Sequence, residues 1–294
     1  MSEAYNNSLI YLDSEEDSGV VVGKTADGRV LASNGPEPVL VMGPARCGKG
    51  INTVIPTALT WKGSAFFLDY KGEAWHLTSS YREKALKQET IKFEPSAIDE
   101  ADWDKAIESS IDAFLDPNKK VSLYLVIPVQ HALAMQPVVR QFMDTLMVKI
   151  TECMDSTKQI REEQRLLMML DEFPMIGNLL RMELFSATCA SYGVKMCIVC
   201  RDVNQIYEAY TKDNSILANC HVQLHFAPDS ESGGDSAKYL ADTLGKASDE
   251  FMFMGYDEAC LFAAGEIPVK VQKLHYFDEP RFASKIDKRA GQDE

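Results

Sequence analysis

The chain has 294 residues, 46% hydrophobic and 25% charged, enough to bury a sizeable core as one large domain or as one domain with an appendage. A formal net charge of −14 excludes a broad basic surface wrapped on nucleic acid, though not a narrow basic channel inside an oligomer. The longest nearly continuous apolar run, Val121 to Val129, is far short of the roughly 20 residues a membrane-spanning helix needs, and the seven cysteines are scattered, so the reading is a soluble chain in a reducing cytoplasm.

In chain order, MSEAYNNS and the acidic run DSEED carry no periodicity, and residues 1–17 are expected to form a flexible tail. From 18 to 285, short apolar runs alternate with helical segments, the α/β pattern of a mostly parallel central sheet with helices on both faces. Strands are expected at 19–24 (GVVVGK), 38–42 (PVLVM), 64–69 (SAFFLD), 121–127 (VSLYLVI), 166–171 (LLMMLD), 194–200 (VKMCIVC), 221–226 (HVQLHF) and 260–265 (CLFAAG). Asp27-Gly28 predicts a hairpin turn, TIKFEP a strand, and the stretch from Trp103 to Phe114 a helix. Apolar residues at helical spacing in QPVVRQFMDTLMVKITECM predict a helix packed on the sheet. A second hairpin is expected around Gly265, and residues 286–294 form a second tail. Cys197 and Cys200 form a C-x-x-C, but residues three apart in a strand point to opposite faces, so both are read as small buried side chains.

The chemistry begins at Gly43-Pro44-Ala45-Arg46-Cys47-Gly48-Lys49, which fits G-x-x-x-x-G-K between an expected strand and an expected helix. Glycines let the backbone curl so that successive N–H groups point at phosphate oxygens, and the helix beginning at Gly50-Ile51 adds its positive end. Lys49 can reach the β- and γ-phosphates as a point charge. Gly50 stands where a magnesium-binding hydroxyl is usual, and Pro56 is expected to bend or break the helix. In LLMMLDEFP, a buried-looking strand delivers Asp171 and Glu172 to a cleft. Asp171 is assigned to the magnesium shell and Glu172 to polarising the attacking water, the two roles phosphoryl transfer requires. Nucleoside triphosphate hydrolysis with ATP and Mg2+ is the expectation.

Together the blocks GVVVGK, VMGPARCGKGINTVIPTALTWKGSAFFLDYKGEAWHLTSSYR, LMMLDEFPMIGNL and VNQIYEAYTKDNSILANCHVQLHFAPDSESGGDSAKYLADTLGK resemble the TraG-like type IV coupling proteins, the ATPases that feed DNA and protein substrates to conjugation and secretion machines. The resemblance runs over most of Gly19 to Phe282 and implies a RecA-like P-loop motor core assembled as a hexameric ring, with nucleotide between neighbours. It implies relaxase-bound DNA and secretion-channel components as partners, and a place at the cytoplasmic face of the bacterial inner membrane. In this family the loop often ends in Gly-Lys-Gly, so magnesium would rest on Asp171, the phosphates and water. Asp69, Lys71, Gly72 and Glu73 match the family's D-x-K-G-E block, although Lys71 and Glu73 equally fit a charged turn.

Two features depart from the family. Where it places a γ-phosphate-sensing glutamine, this chain has Arg201, with Gln205 four residues on. Arg201 could contact γ-phosphate as a forked cation or salt-bridge Asp202. Arg181 is a candidate finger across the ring, or an exposed helical arginine. The family's membrane helices and the all-helical domain inserted after the YR block have no counterpart, and membrane association would come through parts absent from this chain. Three functions fit these residues: a motor, a nucleotide-holding docking module with little hydrolysis, and a related DNA-pumping ATPase.

Overall fold

Runs such as AFFLD and LLMML have no polar side, and they form strands buried on both faces. A computed structural model describes residues 8–153, 165–227, 233–244 and 254–286. Its strands are β1 (Leu9–Tyr11), β2 (Val20–Lys24), β3 (Val30–Ser33), β4 (Val39–Met42), β5 (Ala65–Asp69), β6 (Glu89–Phe93), β7 (Val121–Val126), β8 (Leu166–Leu170), β9 (Val194–Cys200), β10 (Val222–Phe226), β11 (Glu258–Ala263) and β12 (Val269–Gln272). They form one sheet in the order β1-β3-β2-β12-β11-β10-β4-β9-β8-β5-β7-β6. From β10 to β6 every pairing is parallel, and from β1 to β11 every pairing is antiparallel. The expected mostly parallel α/β sheet is the one observed.

Among the described residues the α-helices are α1 (Ile55–Thr60), α2 (Glu73–Lys84), α3 (Trp103–Phe114), α4 (Ala132–Cys153), α5 (Met182–Thr188), α6 (Val203–Tyr210), α7 (Ile216–Asn219), α8 (Gly233–Leu244) and α9 (Pro280–Ala283). Alternate residues of each strand feed two cores. On one face Leu40, Phe66, Leu123, Met168 and Ile198 pack with Ile107 and Ile111 of α3, Phe142 and Leu146 of α4, and Ile206 of α6. On the other, Val41, Phe67, Tyr124, Met169 and Val199 pack with Ile55, Ala58 and Leu59 around α1. Cys200 joins the first core and Cys197 the second, as their spacing predicts.

The two expected hairpins lie side by side on one edge, joined where Gln272 of β12 pairs with Lys24 of β2. This antiparallel extension grips the segment after β4: Val21 N donates to Thr57 Oγ1 at 2.9 Å, and Leu274 N to Asn52 Oδ1 at 2.6 Å. Part of the expected N-terminal tail is ordered structure. Leu9–Tyr11 pairs with β3, Asp13 binds Arg29, and Glu15 binds Lys285 at 2.6 Å. A three-residue strand is too short to show a period, and its partners are distant in sequence. Residues 1–7 and 287–294 lie outside the described residues. Between Tyr81 and Val121 the chain supplies β6, two short turns of tight helix and α3. Among the described residues no helix is long and apolar enough to cross a membrane.

Candidate nucleotide site

Because β4 is buried and flanked by parallel β9 and β10, the chain leaves Met42 at the sheet edge where all the parallel strands end. The loop that follows has no room for a side chain at its first position: a Cβ on Gly43 would lie 2.6 Å from Phe226 Cβ and 2.8 Å from Cys47 Sγ. Gly48 is left-handed at φ +99, which only glycine adopts without strain. Arg46 is also left-handed, at φ 62. The helix begins as a wide turn over Gly50–Val54, in which Ile55 N bonds Gly50 O five residues back, before α1 starts. This is how Pro56 is accommodated. The wider turn comes immediately before the ring that would strike a carbonyl four residues earlier, so the helix shifts register instead of breaking.

Lys49 is buried, and its Nζ folds over the loop to donate to Gly43 O at 2.6 Å and Pro44 O at 3.0 Å. The α1 helix is anchored behind it by Arg82. This arginine is fully buried and donates to Ala58 O, Trp61 O, Gly63 O, Gln88 Oε1 and Ser122 Oγ, so all five N–H groups are used on neutral oxygens. Two of those acceptors are in or beside the last turn of α1, whose carbonyls lack helical partners. Burial pushes the guanidinium down to about 10.

Along the same edge, β9 separates β4 from β8, so the loop and the acid pair stand two strand spacings apart, about 10 Å. Asp171 is pushed up to about 7, first by burial and then by the neighbouring charge of Glu172, while Lys49 pulls the other way and Asp69 adds a smaller upward push. Lys49 and Asp171 therefore share one electrostatic environment. Glu172 is left-handed at φ 48, and its amide donates to Asp171 Oδ1 at 3.0 Å. Its carboxylate, 12% exposed, meets Arg201 Nε at 3.3 Å. The alternative pairing of Arg201 with Asp202 is not made, because Asp202 caps α6 by accepting from Gln205 N at 3.1 Å. Gln205 returns its Oε1 to Arg201 N at 2.9 Å, locking the end of β9 to the start of α6.

The remaining candidates divide. Asp69 is buried, and its carboxylate accepts from Trp75 N at 2.9 Å, so it shapes the turn into α2 while bordering Asp171; burial raises its pKa. Lys71 and Glu73 are exposed on that turn. Arg181 is exposed before α5, among exposed Leu180 and Leu184, and makes no contact with Lys49, Asp171 or Glu172. Sequence reasoning missed the groups that hold the acid loop. Gln136 Nε2 donates to Met175 O at 2.9 Å and Arg140 Nε to Ile176 O at 2.8 Å. Tyr210 Oη accepts from Leu179 N, donates to Gly177 O, and its ring stacks on Phe173 at 5.7 Å. The available signal was Gln136 and Arg140, two polar residues four apart and so on one face of the expected helix.

A family profile described as "Type IV secretory system Conjugative DNA transfer" matches residues 4–105 and 110–250. The chain belongs to this family. The resemblance to TraG-like coupling proteins read from the motifs is thereby borne out. Within the family, the conjugal transfer protein TraG of Escherichia coli is 24% identical over 373 residues, covering 77% of this chain and 59% of the relative. That alignment is longer than the chain itself, so TraG carries residues with no counterpart here. Protein VirD4 of Agrobacterium fabrum is 39% identical over 131 residues, covering 43% of this chain and 16% of VirD4. The plasmid coupling protein TrwB, solved in complex with ADP and Mg2+, superposes with a TM-score of 0.63 at 12% identity, over 85% of this chain and 89% of that one. The likeness to TrwB bears out the RecA-like P-loop fold.

Proposed function

We propose that this conjugative DNA transfer protein is an ATP-hydrolysing motor core that delivers DNA, or DNA with bound protein, to a type IV secretion channel. The observation that carries the reading is the shared sheet edge on which the Gly43–Lys49 loop and the Asp171–Glu172 pair stand two strands apart. The loop's N–H groups and the start of the helix would hold the phosphates, with Lys49 exchanging its loop carbonyls for β- and γ-phosphate oxygens. Residues Gly43, Pro44, Ala45, Arg46, Cys47, Gly48, Gly50 and Ile51 line that cradle.

A divalent cation fits the acid side. Burial first, and then the charge of Glu172, raise the pKa of Asp171, which a positive charge beside it would relieve; among the described residues no three ligating side chains cluster, so phosphates and water would complete the shell. Asp171 would hold magnesium, which supplies charge neutralisation of the phosphates when bound. Glu172 accepts a proton from the attacking water and orients it, and Arg201 is the cation nearest that proton acceptor. Arg181, exposed before α5 and with no hydrogen bond or ion pair to these groups, is offered to a neighbouring subunit's site, which calls for the hexameric ring. The family's description, conjugative DNA transfer, and the name of TraG, a conjugal transfer protein, support DNA as the cargo; relaxase-bound DNA and a position at the cytoplasmic face of the bacterial inner membrane follow from the motif resemblance alone.

A second reading is a nucleotide-holding docking module. The Glu172–Arg201 pair favours it, since that pair occupies the carboxylate hydrolysis would need. The deciding experiment is ATPase rate per subunit against protein concentration, with and without single-stranded DNA, for the wild type, Lys49→Ala and Glu172→Gln. The motor predicts a rate that rises with concentration, no nucleotide binding in Lys49→Ala, and binding without turnover in Glu172→Gln. Wild-type turnover in Glu172→Gln removes it as the water-activating group.

A further inference from the structure

One cation near the phosphate loop takes no part in the site described above. Lys273 follows β12 and is 7% exposed, yet among the described residues no carboxylate reaches salt-bridge distance of its Nζ, Asp257 attracting it only from further off, and no oxygen accepts from it. It lies instead over two aromatic faces, 4.4 Å from the centroid of Tyr256 and 5.1 Å from that of Phe226. Phe226 is the residue against which Gly43 packs, and Gly43 in turn packs on Cys47. Lys273 and Lys49 both lower the charge cost of a thiolate at Cys47, so the two cations border the loop together. The backbone is pinned there: Lys273 N donates to Asp257 O at 2.8 Å, and the next amide, Leu274 N, to Asn52 Oδ1.

A largely buried ammonium with no carboxylate in direct contact is costly, and burial holds this one below the ordinary lysine range against the weaker upward pull of Asp257. Stacking on two rings recovers only part of that cost. The loop beside it is a curl of N–H groups that itself attracts anions. We propose that Lys273 is a second phosphate-binding cation of the nucleotide site, reaching the bound polyphosphate from the Cys47 flank of the loop. This rests on the nucleotide-binding reading above and adds a ligand contributed by the C-terminal strand. The antiparallel extension thereby gains a function, since the same segment that grips Asn52 carries the ammonium to the loop.

The test compares wild type, Lys273→Met and Lys273→Arg by equilibrium titration with ATP and ADP and by urea unfolding. Met keeps the apolar stem between Phe226 and Tyr256 and removes only the charge. The expected results are about ten- to hundredfold weaker ATP binding in Lys273→Met, partial rescue in Lys273→Arg, and nucleotide-free stability equal to or above that of the wild type. Unchanged ATP affinity in Lys273→Met, with the wild type binding normally, overturns the proposal. So does marked destabilisation of Lys273→Met, because the charge would then be structural. A wild type that binds no nucleotide at all sinks the broader functional reading instead, so the two failures are distinguishable.

Discussion

Arg201 Nε stands 3.3 Å from Glu172 Oε2, joining the group that ends β9 to the carboxylate just after the end of β8 across a single strand spacing. The glutamate is 12% exposed and the arginine 48%, so the arginine is the partner free to move. In the proposed motor, a γ-phosphate competing for the guanidinium would draw the forked donor away and leave Glu172 to accept from water.

If Arg201 serves the transition state in this way, Arg201→Ala should lower turnover about 10²- to 10³-fold while changing nucleotide affinity far less. Steady-state ATPase rates beside equilibrium nucleotide binding make the check. A rise in turnover would mean that the pair only restrains Glu172.

The fully buried Arg82 should be a large stability determinant without touching nucleotide. Arg82→Met removes five hydrogen bonds in a dry interior, where Gly63 O keeps only Gln88 Nε2 and Gln88 Oε1 only the Ser122 hydroxyl, at an expected cost of about 3–5 kcal/mol. Urea unfolding measures it, and a loss below about 1 kcal/mol would show that water or rearrangement replaces the guanidinium.

Gly43→Ala tests close packing rather than backbone conformation. The added methyl would meet Phe226 and Cys47 inside contact distance, so the loop must shift, with a loss of about 1–3 kcal/mol and weakened nucleotide binding. Gly50→Ala, where an added Cβ meets nothing within 4 Å, is the control expected to keep its stability.

His225, on β10 beside β4, is fully buried, bonds Gln223 Oε1 through Nε2 at 2.9 Å, and is pushed down to about 3 by burial. Its folded pKa lies below its unfolded value of about 6.5, so the unfolded chain binds the extra proton in between. The stability this neutral ring contributes is full above about pH 6.5 and is lost as pH falls through about 3. Unfolding free energies measured from pH 7 to 4 should fall less steeply in His225→Leu than in the wild type. Parallel slopes would place the acid sensitivity elsewhere.

Much of this protein was legible as a string of residues, for reasons that are local. Strands buried on both faces must be nearly continuous hydrophobic runs, so β4, β5, β7, β8 and β9 announce themselves, and the loop and acid pair sit at their ends. The left-handed Gly48 is likewise a demand of the immediate backbone, whereas Gly43 is required by the approach of Phe226 from far along the chain. What folding in three dimensions decided is which side chains meet. Glu172 and Arg201 are 29 residues apart, Arg82 reaches back to Ala58 and forward to Ser122, and Lys273 approaches a loop more than two hundred residues earlier. Strand order sets these encounters. Hydrophobic periodicity is blind to it, because a buried strand looks the same whichever neighbour it pairs with.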